Sequence, residues 1–144
     1  VKVSFGADFQ GRARRASEKA AAAVFLTLNQ RFQAALATPA YSWGLGTTIR
    51  SNGQQVGSPR NIVDTGLLRQ SNTGPQINGL RVRYIWRVPY AAAVHEGAQL
   101  SNGTLLPARP WTSAVLGSEP VSGIEPYDYR KAFKDAWLAN FRGS

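Results

Sequence analysis

LRVRYIWRVPYAAAVHEG, residues 80–97, is followed after a polar insert by PARPW, residues 107–111. The rest of the chain is organised around these two pieces. Leu80, Val82, Tyr84, Trp86 and Val88 fall on one side, and Arg81, Arg83, Ile85 and Arg87 on the other. That period of two marks a half-buried strand. Pro89 has no N–H to give a ladder and ends the pairing. Tyr90 to Glu96 suits a short helix closed by Gly97 at its C-terminal cap. In 107–111 two prolines bracket Ala108-Arg109 and fix a rigid elbow, with Trp111 beside it. Pro110 suits the first turn of a helix running to about Leu116.

Outward from this stretch, three Asn-Gly pairs predict hairpin turns. Asn52-Gly53 would join Thr47–Arg50 to Gln54–Val56, Asn78-Gly79 would join Gln76-Ile77 to the Leu80–Val88 strand, and Asn102-Gly103 would join Ala98–Leu100 to Thr104–Leu106. Val1, Val3 and Phe5 alternate with Lys2 and Ser4 as a short opening strand. From about Gln10 to Ala37, the residues Ala16, Ala20, Ala21, Val24, Phe25, Leu28, Phe32, Ala35 and Leu36 recur three and four apart. That spacing predicts one long helix, stopped by Thr38-Pro39. At roughly 1.5 Å per residue it would reach about 40 Å, more than a domain of this size needs. Val24 and Leu26, off the main stripe, predict that a second side is buried too. Asp64 is placed to cap a short helix over Thr65–Gln70. Gly117 to Pro126 is a breaker-rich loop. The last helix, Tyr127 to Phe141, carries Tyr129, Phe133, Trp137 and Phe141 on one face, expected to be the core side. The sum is one α+β domain over residues 1–144: a small, mostly antiparallel sheet with hairpins, a long N-terminal helix packed on it, and a C-terminal helix.

The chemistry carried by the chain is mostly charge. Of 144 residues, 17 are Lys or Arg and 8 are Asp or Glu, a net charge of +9, and 13 of the cations are arginine. Arginine favours planar, bidentate contacts with carboxylates or phosphates, so nucleic acid, an acidic protein face, or both are expected partners. There is no cysteine, which excludes disulfides and thiolate metal sites. No apolar run is long enough to span a membrane, and VKVSFGADF lacks a signal-peptide core. Ile62-Val63-Asp64-Thr65-Gly66 is similar to an aspartic-protease turn. That chemistry needs two carboxylates sharing a proton, and here bulky Leu67-Leu68 and then Arg69 follow; a helix cap is the preferred reading. His95 is the single histidine, with no second one for a zinc-protease helix. Gly44-Leu45-Gly46 lacks the helix and lysine of a phosphate loop. No catalytic, cofactor-binding or metal-binding residue is therefore expected, and the chain is not expected to be an enzyme.

The remaining candidates are interface and structural residues. Arg12, Arg14 and Arg15 open the long helix at the positive end of its dipole, where cations are disfavoured unless something negative meets them. The plainer reading there is a solvated face shared with Glu18 and Lys19. Arg81, Arg83 and Arg87 share one strand face. Glu96 is a pairing partner for Arg83, Arg87 or Arg109, and Arg109 and Trp111 make the elbow.

Tyr90-Ala91 and His95-Glu96-Gly97, then Pro107-Ala108-Arg109-Pro110-Trp111, stand downstream of Asp64-Thr65-Gly66-Leu67-Leu68-Arg69-Gln70-Ser71. In content, order and spacing this resembles the neck and minor-tail (tail-completion) proteins of tailed bacteriophages. The resemblance covers roughly Asn61 to Leu116, together with the long N-terminal helix. It implies a structural virion protein that forms a ring at the head–tail junction or the top of the tail. The implied partners are further copies of itself, as a hexamer or a dodecamer, and the adjoining head-side connector and tail proteins. DNA would pass through the lumen without specific binding. The protein would reside in the virion neck or tail after assembly in the host cytoplasm. The rival reading is a basic nucleic-acid-binding module using the Arg81/Arg83/Arg87 face. Tyr84 and Trp86 point the other way, which removes base stacking and leaves contact with the DNA backbone alone.

Overall fold

Helix α1, Ala7–Ala37, is the spine. The computed structural model describes residues 4, 6–41, 48–49, 53–57, 66–99, 101, 103 and 105–143. At 31 residues α1 is about 45 Å long. Its buried residues are Ala16, Ala20, Ala21, Val24, Leu28, Phe32, Ala35 and Leu36, the face that the spacing predicts. Asp8 sits in the first turn, where the dipole favours an anion. At the other end, the Thr38 hydroxyl donates to Ala34 O at 2.9 Å, and Pro39 prevents continuation. Leu26 is 53% exposed, so the flank expected to be a second buried side faces outward.

The strands form separate two-stranded antiparallel ladders among the described residues. These are β1 (Thr48–Ile49) with β2 (Gln55–Val56), β3 (Gln76–Asn78) with β4 (Arg81–Arg83), and β5 (Ala98–Gln99) with β6 (Leu105–Leu106). All three hairpins fall where the Asn-Gly pairs predict. One turn is shifted: Asn78 pairs with Arg81, so Gly79-Leu80 makes the turn. Gly79 has φ 61, the positive value needed at the first central position of a two-residue hairpin loop. The long strand expected over Leu80–Val88 keeps regular pairing only to Arg83. Beyond it, Trp86 bridges Asn72 while Arg83 pairs Gln76. Four steps therefore oppose three, and the extra residue is a bulge in Thr73-Gly74-Pro75, with Gly74 at φ 80.

Short helices complete the chain: α2 (Leu67–Gln70), α3 (Ala91–Glu96) and α4 (Trp111–Leu116). Helix α2 starts at Leu67 with left-handed Gly66 before it, not at Thr65; Asp64 and the strand expected at Val1–Phe5 lie on or among residues outside the described set. Helix α5, Tyr129–Arg142, is capped by the Asp128 carboxylate, which accepts from Lys131 N at 3.1 Å. It packs along α1 in the opposite sense. Tyr127 lies under Arg31, the Trp137 indole donates to Ser17 Oγ at 3.0 Å, and Phe141 meets Phe9 edge-on at 5.6 Å. The aromatic face of α5 thus looks onto α1 as expected, although none of its residues is fully buried.

The core gathers Leu28, Phe32, Leu36, Tyr41, Leu68, Trp111 and Val115, with Tyr84, Trp86, Val88 and Val94 packed against it. The architecture is α+β: a long helix with the β3–β4 hairpin beside it, two further small hairpins, and a C-terminal helix alongside. Trp111 is 2% exposed, so Trp111→Ala should cost about 3–5 kcal/mol. Trp137→Ala, half-buried against α1, should cost about 2 kcal/mol. Urea unfolding of the two variants checks the order and the size.

Candidate interface site

The elbow is built by backbone first. Helix α3 ends at Gly97, φ 83, and the β5–β6 hairpin carries the chain out and back. On return, the Arg109 N–H donates to Val94 O at 3.0 Å and His95 O at 3.2 Å. The last carbonyls of a helix have no partner within it, so the elbow supplies one to α3. Trp111 N–H in turn donates to Arg109 O at 2.9 Å, and Pro110 leads into α4.

Onto this backbone joint is set a chain of aromatic edges. Trp111 meets His95 at 4.8 Å and Trp86 at 5.4 Å; Trp86 meets Phe32 at 6.1 Å, and Phe32 meets Tyr84 at 4.9 Å. Edge-to-face pairs of this kind add about 0.5–1.5 kcal/mol beyond area burial. Polar atoms at the rim fix the register. The Trp86 indole donates to Gln33 Oε1 at 3.3 Å, and the Tyr84 hydroxyl donates to Phe25 O at 2.8 Å. Burial pushes the Tyr84 phenol up to about 12. Gln33 also donates to Arg69 O at 2.8 Å, so one amide ties α2 and the ribbon to α1. Sequence reading missed Gln33; its only signal was a polar residue next to the buried stripe. Trp111 Nε1 is buried with no hydrogen-bond partner among the described residues. That omission costs about 1–3 kcal/mol, which the packing must outweigh.

The candidate residues separate into three groups. Arg109 and Trp111 are buried at the joint. Glu96 is exposed, and pairs with Arg83, Arg87 or Arg109 are not among the described ion pairs, which are Arg14–Glu18 and Lys131–Asp135. At the start of α1, the Arg12 guanidinium lies 4.7 Å above Phe141 and donates to Phe141 O at 3.3 Å. The negative group it meets is the C-terminal end of α5, where a cation is favoured. Arg14 pairs with Glu18 at 3.2 Å on the surface, a contact of small worth. Arg15 is exposed. On the ribbon, Arg81 and Arg83 share an exposed polar face with Gln76 and Asn78, and Arg87 continues the row beyond the bulge, also exposed. The ribbon thus runs between two sites: Trp86 meets Trp111 at the joint, and Gly79 at its tip stands beside Glu18, the partner of Arg14 on α1.

Among the described residues, no group of three or more His, Asp or Glu side chains is placed to hold a metal ion. No described helix is long and apolar enough to cross a membrane. Compared with protein-family models, with curated proteins and with solved structures, the chain matches none.

Two tests follow from the joint. His95 is half-buried, and its Nε2 lies 2.7 Å from Thr112 Oγ1. Burial lowers its pKa, with Glu96 and Glu119 pulling the other way. The unfolded chain therefore takes up the proton first, and stability falls as pH drops through about 6.5 until folded His95 protonates. His95→Gln should flatten the stability profile between about pH 7.5 and 5.5, read by urea unfolding across that range. Arg109 is 8% exposed. Arg109→Lys keeps the charge and loses the planar fork, so it should cost about 2 kcal/mol, read by thermal unfolding.

Proposed function

We propose that this chain is a structural virion protein of a tailed bacteriophage, not an enzyme. It forms a ring at the head–tail junction or the top of the tail and joins the head-side connector to the tail. It is assembled in the host cytoplasm and ends in the virion neck. The observation that carries the reading is the joint itself. Three segments that resemble the neck and minor-tail proteins meet there. Leu68 of the first is in the core, α3 is the second, and the Pro107–Trp111 elbow locks onto α3 through Arg109 N–H. Residues that distinguish the chain thus serve packing between segments, as a rigid building block requires. Exposed Leu26, Ile77 and Leu80, beside exposed arginines, further suit protein contacts.

A ring needs two different faces per subunit in head-to-tail contact. It also needs a bore that releases DNA. Several phosphates neutralised together bind tightly at low salt, so most of the arginines are assigned to neighbouring protein or to the outer surface. A second reading has one observation in its favour. Arg81, Arg83, Gln76 and Asn78 share the open face of a two-stranded ribbon, a shape that a DNA major groove admits.

The test is assembly without the protein. Infected cells lacking it should accumulate DNA-filled heads and separate tails, and the purified protein should join them in extract. Infectious particles forming at normal yield in its absence would overturn the reading. Tight duplex binding with a steep salt slope would favour the nucleic-acid alternative.

A further inference from the structure

Among the open charges on the surface, one pair of arginines and one pair of glutamates lie toward opposite ends of α1. At the N-terminal half, the tip of the β3–β4 ribbon rests beside the helix: a Cβ on Gly79 would stand 3.8 Å from Glu18 Oε1. Alternation sets the direction of its side chains. Tyr84 bonds to α1 through Phe25 O, so Val82 looks the same way and Arg81 and Arg83 look away from the helix. Both arginines are exposed, with no ion pair among the described residues, and Leu80 at the turn is 59% exposed. At the C-terminal end, the loop between α4 and α5 folds over the end of α1: a Cβ on Gly123 would stand 3.3 Å from Ala40 Cβ. This loop carries Glu119 and Glu125, both exposed and with no ion pair among the described residues. Leu116 at its base is 40% exposed. From Glu18 to Ala37 the helix rises roughly 30 Å.

We propose that the Arg81/Arg83 face of the ribbon docks on the Glu119/Glu125 loop of a second copy of this chain. Each side presents two like charges and one exposed leucine, so the faces complement each other in sign and in apolar content. Arginine forks match carboxylates in the bidentate geometry that rewards such a pairing. The tip of the ribbon and the loop touch α1 at points roughly 30 Å apart, and no ion pair joins the two patches within the chain among the described residues. Each docking event therefore leaves one patch of each kind open, which is the condition for head-to-tail growth and closure into a ring. Closure rests on the ring reading above; the contact itself rests on where the charges lie.

The chain has no cysteine, so site-specific cross-linking is clean. Asn78→Cys marks the ribbon face in one preparation and Ser122→Cys marks the acidic loop in another; both positions are exposed. With a short bis-maleimide, the mixture should give a mixed adduct in preference to either homo-adduct. Its yield should fall on the order of tenfold in about 0.5 M salt. Adding Arg81→Glu and Arg83→Glu to the first partner should abolish the adduct. Adding Glu119→Arg and Glu125→Arg to the second should restore it. Thermal melts at the wild-type temperature keep misfolding out of the comparison. Predominant homo-adducts, or a yield indifferent to charge reversal, would overturn the docking. A virion ring whose contacts spare both patches would overturn the docking and leave the ring reading intact. A mixed adduct from a protein absent from virions would do the reverse.

Discussion

The Trp111 indole stands edge-on to His95 on one side and to Trp86 on the other, and through these contacts α3, α4, the ribbon and α1 become one body. Its position depends on a pair of backbone bonds. Arg109 N–H satisfies carbonyls at the end of α3, and two prolines leave the elbow little other conformation. The order of causes runs from chain stiffness, to a capped helix end, to a fixed indole, to a shared core. Without the elbow, α3 would end with orphaned carbonyls and Trp86 would lose the ring it packs against.

Helix α1 does a different job. Alanines at Ala16, Ala20 and Ala21 are nearly or wholly buried, so α5 lies close along its N-terminal half. The larger Leu28, Phe32 and Leu36 fill the space under α4 and the ribbon. A helix of this length holds the basic ribbon tip and the acidic loop at opposite ends.

The long helix was legible because a three-and-four spacing needs no knowledge of its neighbours. The hairpins were legible because Asn-Gly pairs carry their own backbone preference. The turn at Gly79-Leu80 was misplaced by one residue because the Asn78–Arg81 pairing, set across the strands, decides the register. The strand after Arg83 was overextended because the bulge that interrupts it lies on the opposite strand, at Gly74-Pro75. Arg12 looked out of place at a helix start. Its partner is the end of α5, 129 residues away in sequence, which local pattern cannot reveal. The elbow at Arg109 and Trp111 was legible as a stiff segment because prolines stand on both sides of Arg109.

The most direct measurement is an electron-microscopy reconstruction of the virion neck with this chain placed in the density. The account expects a ring at the head–tail junction, with α1 resolved as a rod of about 45 Å and the ribbon arginines turned to neighbouring protein. It is contradicted if the chain is absent from the neck, or if most of its exposed arginines line the central channel.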